Sequence, residues 1–336
     1  MDEQRQEDTR VEDTSVIFKE VFWDQARSVR ETGNCNLDSE IVRQWVKSVW
    51  QFNTEKAAGI DPSLKVELTA LNACSVAVAA LAFCVLSRDH SERPLPVDWG
   101  GKQDGGGSFA LYCLLVQYVN HSMSVVRLCQ DGFDNSAKIL VRTMLEMTRI
   151  VLVVSADSGY MQSYLNSGKN EQCRKEWRKK SETDEILRRL GEIECEMGLS
   201  RQTTDYMGAK RMNTYKYLCQ ATHSSIQEMA ASSFVNIKDS DDGLLKSMMF
   251  GAQSPRLRPL LTEAITTSLV LVSEVMTIFA IVHKFSATAQ NESWNNFKYL
   301  YHTINLIWLS HFVEGSSGDE PREYLRSLGI DTQSSK

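Results

Sequence analysis

The run Leu68 to Leu86, LTALNACSVAVAALAFCVL, carries no charge over nineteen residues. A segment that long and apolar has two stable fates: a helix across a bilayer, or a helix enclosed by protein on all sides. Asn72 and Ser75 interrupt the run and no aromatic belt flanks it, which favours enclosure. Ala70, Ala73, Ala77, Ala79 and Ala80 allow close helix approach in either setting. A second run, Ala264 to Val282, holds a single charge, Glu274. An acid in mid-bilayer is expensive, so burial is expected there as well. Enclosing two such helices takes several more around them, and the remaining sequence supplies these.

The chain has 336 residues, of which 42% are hydrophobic and 24% charged. Those proportions exclude a chain disordered along most of its length. Six prolines and eighteen glycines leave long stretches without a breaker. The reading is an all-α protein, a multi-helix bundle with long antiparallel helices. Apolar spacing predicts helices over 16–56 with a break at Thr32-Gly33-Asn34, then over 62–86, 109–131 and 135–156. Further helices are expected over 182–197, from Asp205 or Asn213 to Ala231, and over 259–285, 293–313 and 320–328. Residues 91–108, with two prolines and five glycines, form the clearest loop. The expected organisation is a mobile tail at 1–15, an N-terminal helical region at 16–100, a bundle at 109–313, and a short helix and tail at 314–336.

Net charge is −6, so broad, non-specific nucleic-acid binding is not the default. The basic segment 169–180 could contact phosphates, but Glu171 and Glu176 weaken its field and a solvated helix end is the simpler role. The eight cysteines include no CxxC pair and read as free thiols of a reducing cytoplasm. The N-terminus lacks the basic-then-apolar order of a secretory signal. No HExxH, GxSxG or GxxxxGK[ST] occurs, and no His/Asp/Glu cluster has metal-ligand spacing, so neither a metal nor a cofactor is expected.

Chemistry concentrates in two helices. In NSAKILVRTMLEMTRIVLVVSA, residues 135–156, Lys138, Arg142, Glu146 and Arg149 recur at four, four and three residues. They form a narrow polar stripe on an otherwise apolar helix. One reading is a solvated face with a weak Arg142–Glu146 pair. The other is a partly buried pair facing the bundle interior, with the Arg142 fork presented to a carboxylate or phosphate. The second element is Tyr215-x-x-Leu218-Cys219-x-x-x-His223. Cys219 and His223 stand one helical turn apart, a spacing that suits a thiol–imidazole dyad but equally a core cysteine and a structural histidine.

The motifs Leu140-x-Arg142-x-x-x-Glu146 and Tyr215-x-x-Leu218-x-x-x-x-His223 resemble the bacterial family catalogued as domain of unknown function 5677, over residues 109–313. The resemblance singles out Arg142, Glu146 and His223. Cys219 stands where that family usually has serine. The family's helical build is similar to HEPN-type proteins, which include ribonucleases and toxins of bacterial conflict and antiviral defence systems. Those nucleases carry R-x4-6-H on one helix, and Arg142 is followed instead by an acid at the fourth place.

Two function classes stay open, with a third behind them. The first is a metal-independent ribonuclease or nucleotide-directed effector, with Arg142 on a phosphate, His223 as acid or base, and Glu146 orienting either. Lys138, Arg149, Tyr215 and Cys219 would be its binding residues. The second is a non-catalytic sensor or interaction module, in which a buried Arg/Glu/His network fixes helix register. Its partner would be another protein or a second copy of the chain. The third is a membrane-associated protein using helices 68–86 and 264–282.

Overall fold

The computed structural model describes residues 64–99, 106–130, 133–222, 257–287 and 291–315. Among these residues the structure is all-helical and contains no strand. The helices are α1 (Lys65–Val85), α2 (Gly106–Gln130), α3 (Asp134–Ala156), α4 (Ser158–Asn166), α5 (Glu171–Ser181), α6 (Thr183–Glu196), α7 (Arg201–Thr222), α8 (Leu257–Ile281) and α9 (Glu292–Gly315). A single turn of 3-10 helix, His90–Glu92, lies in the loop after α1. The helices expected over 16–56 and 320–328 lie outside the described residues, as does His223.

One continuous apolar core joins α1, α2, α3, α8 and α9. The uncharged run that forms α1 is enclosed: Leu71, Val78, Leu81 and Val85 are fully buried, with α2, α8 and α9 packed around them. α1 lies against α2. Gly107 donates to the Trp99 carbonyl at 3.0 Å, and a Cβ at position 107 would meet that oxygen at 2.5 Å. Glycine is required there by this close approach, and α2 begins three residues earlier than apolar spacing alone indicates.

α3 is the hub of the fold. It packs against α2, α8, α7, α6 and α4. Its N-terminal neighbour α2 returns through a short turn in which Phe133 N donates to Leu128 O at 2.8 Å, giving the helical hairpin expected from Gly132. Buried hydroxyls stitch the core: Ser75 to Ser122 at 2.7 Å, and Tyr118 to Ser268 at 3.0 Å. Two short helices follow α3, the first uncharged and the second within the charged stretch. Asp157 caps α4 by accepting from Gly159 N and Tyr160 N, and Asn170 caps α5 by accepting from Cys173 N. No α5 residue is buried, and Lys180 turns back onto α4, donating to the Ser163 hydroxyl at 2.7 Å and facing the Tyr160 ring.

α7 differs from the rest. Of residues 201–219, only Thr204 and Leu218 are buried. α3, of similar length, buries Val141, Met144, Val151, Leu152 and ten others. Hydrophobic burial therefore holds α3 firmly but gives α7 little, and polar contacts must position α7.

Candidate functional site

The polar stripe of α3 turns inward, toward α7. Lys138 and Arg149 are 5% and 2% exposed, while the Arg142 and Glu146 side chains retain 22% and 38%. The stripe thus runs from a half-open edge at Arg142–Glu146 to an enclosed end at Arg149. This is the interior-facing arrangement, and it follows from the width of the apolar surface that α3 must bury against α2 and α8.

At the open edge, Arg142 Nε donates to Glu146 Oε1 at 3.0 Å, and Arg142 Nη2 donates to the Tyr215 hydroxyl at 3.0 Å. Burial alone pulls the Arg142 guanidinium down, but Glu146, Tyr215 and Cys219 outweigh it and hold the group above its ordinary value. Both guanidinium groups face the ring of Tyr215, Arg142 at 5.1 Å and Arg149 at 5.0 Å from its centre. Lys138 Nζ lies 3.9 Å from the centre of the Tyr217 ring. These cation–π contacts anchor α7 to α3 without apolar area.

At the enclosed end, Arg149 Nη2 donates to the carbonyl of Arg211 at 2.9 Å. Arg149 Nε and Nη1 have no hydrogen-bond partner among the described residues. Burial, then the neighbouring Arg211 charge, pushes the Arg149 guanidinium down to about 10. Arg211 itself bridges two helices: it pairs with Glu194 of α6 and, through Nη2 at 2.7 Å, with Glu274 of α8. Burial raises the pKa of both carboxyls above the ordinary carboxylate value, and Arg211 opposes the rise at each.

The cluster has two halves with different chemistry. Arg211, Glu194 and Glu274 form a closed triad that ties α6, α7 and α8 together. Arg142, Glu146 and Tyr215 form an edge that solvent reaches. Arg149 lies between the two.

Of the residues singled out from sequence, the structure brings Lys138, Arg142, Glu146, Arg149 and Tyr215 into this one interface. Cys219 is half-buried on α7 and close enough to act electrostatically on both Arg142 and Arg149. Arg211, Glu194 and Glu274 were not singled out as site residues. Two of them carried a signal. Glu274 is the only charge in a nineteen-residue apolar run, and Glu194 falls on the apolar face set by Ile186, Leu190 and Ile193. His283 bonds the Ser155 carbonyl at 2.6 Å and meets the Trp99 ring edge-on at 4.7 Å, and burial lowers its proton affinity. Among the described residues, no three His, Cys, Asp or Glu side chains gather as metal ligands would, and the cysteines are free thiols.

Residues 108–244 match the model of a family of unknown function, DUF5677. The match covers α2 to α7 and includes both α3 and the α7 residues that face it. It is shorter than the 109–313 expected from the motifs, so α8, with Glu274, lies beyond it. No curated protein and no solved structure matches the chain.

Proposed function

We propose that this chain is a helical sensor or interaction module in which the Arg/Glu cluster sets the position of α7, and α7 responds when a ligand or partner competes for those charges. One observation carries the reading: α7 buries two residues in its first nineteen and is otherwise held by ion pairs, a carbonyl bond and cation–π contacts. A helix docked on apolar area resists displacement over a broad surface. A helix docked on a few charged contacts has a defined register and yields when those contacts are contested. Under this reading the partner is a nucleotide, an RNA or a protein bound at the same face, in the cytoplasm.

Limited trypsin digestion tests it. Lys210 and Lys216 lie within α7. Cleavage there is expected to be slow in the intact protein at low salt, and several-fold faster at high salt or in Arg211→Met. Equal cleavage in all three would refute the role given to the cluster.

A second reading, a metal-independent ribonuclease or nucleotide-directed effector of the HEPN-like sort, is favoured by the half-exposed Arg142, held by Glu146 and Tyr215 where a phosphate could reach it. His223 would supply the acid or base one turn beyond Cys219. Purified protein should then cut or modify RNA or a nucleotide, and Arg142→Ala and His223→Ala should each abolish that without unfolding.

A further inference from the structure

Arg149 is the most poorly accommodated charge among the described residues. Its side chain is 98% enclosed, yet two of its three guanidinium nitrogens have no hydrogen-bond partner there. A buried donor left unpaired costs far more than the same donor in water, so a fold keeps such a group only where something satisfies it. Arg142 and Arg211 each contact a carboxylate, whereas Arg149 contacts only a carbonyl and an aromatic face. The ring of Tyr215 occupies the space that both Arg142 and Arg149 face. That ring is half-buried and reaches the solvent edge through its hydroxyl bond to Arg142.

We infer that Arg149 receives the phosphoryl group of a ligand that enters past Tyr215. With the Tyr215 ring turned aside, two guanidinium groups would face one small space from different directions. Donors arranged in that way suit a tetrahedral oxyanion better than a planar carboxylate, and guanidinium forks match phosphate oxygens. Tyr215 is then a gate. It shields two like charges from one another while the site is empty, and the incoming anion takes over that task. The inference rests on the proposed sensing role of this face for its consequence, which is displacement of Tyr215 and with it α7. The binding itself is measured separately.

The test uses the full chain and inorganic phosphate, with thermal unfolding followed at constant ionic strength and chloride and acetate as comparison anions. Phosphate at millimolar levels is expected to raise the midpoint saturably, with little effect from chloride or acetate. Arg149→Gln should lose the response while keeping its helical circular dichroism. Tyr215→Ala, which removes the gate and keeps both guanidinium groups, should reach half-saturation at a several-fold lower phosphate concentration. The Tyr215→Ala arm decides the matter should Arg149→Gln fail to fold. A phosphate response absent from both the unmodified protein and Tyr215→Ala would mean that water alone satisfies Arg149 and would overturn the inference. An unchanged response in folded Arg149→Gln, or an equal response to acetate, would overturn it too. Saturable phosphate binding with no change in tryptic cleavage of α7 would uphold the site and sink the sensing role.

Discussion

Arg211 holds two buried carboxylates, and removing it leaves both without their cation. Arg211→Met is therefore expected to cost about 3–5 kcal/mol of stability, the range for breaking a buried pair from one side. Glu146→Gln, at the open edge, should cost no more than about 1 kcal/mol, because a half-exposed pair is screened. Urea unfolding of the two variants measures both. A pH effect follows from the same residues. Burial raises the pKa of Glu194 and Glu274, so between the ordinary carboxylate range and the raised values the folded protein holds protons that the unfolded chain has released. These two groups thus lower stability as pH climbs through that window and restore it as pH falls. Glu274→Gln should flatten the slope there without abolishing it, since Glu194 and Glu263 shift in the same direction. At this scale the α3 stripe was legible, because four charges at helical spacing on an apolar helix have few places to go. Arg211 was not, because α7 has no apolar periodicity against which a charged residue would stand out.

Among the elements, α3 could be read to within one residue from its apolar content and the turn at Gly132, and α6 and α9 nearly as well. α4 and α5 could not, because their evidence is a cap residue and a charge run and not an apolar face. α7 was blurred at its start for the same reason; Ser200 opens it, with the Ser200 hydroxyl accepting from Thr203 N at 3.1 Å. The contrast between α3 and α7 yields a prediction of its own. Leu218 is fully buried, and with Thr204 it is one of two buried residues in the first nineteen of α7. Leu218→Ala should cost about 2–5 kcal/mol as a core truncation. Tyr206→Ala, at 70% exposure, should stay within about 0.5 kcal/mol. Thermal or urea unfolding separates the two, and similar losses would mean that α7 docks on a wider apolar face than its burial indicates.

At the scale of the whole molecule, three helices among the described residues are long and apolar enough to cross a membrane: α1, α2 and α8. Two of these were evident as uncharged or nearly uncharged runs. The third, α2, carries Gln117, Asn120, His121 and Arg127 within its apolar length. Most of the apolar stretch of α1 is buried inside the bundle, and about half of those of α2 and α8. Leu71, Leu111, Leu115, Leu261 and Ile265 are fully buried in the shared core, and Glu274 of α8 is met by Arg211. The account therefore expects the protein to stay in the aqueous phase without detergent and to remain there after a phase-partition step with a mild detergent. Recovery in the detergent phase would favour the membrane reading. The central claim, that charged contacts and not apolar area hold α7 to the bundle, is tested most directly by a hydrogen-exchange map of the full chain at low and high salt. The account predicts that the amides of 201–222 exchange faster than those of α3 and gain several-fold more exchange in high salt while α3 is unchanged. Protection of α7 equal to that of α3, and insensitive to salt, would contradict it.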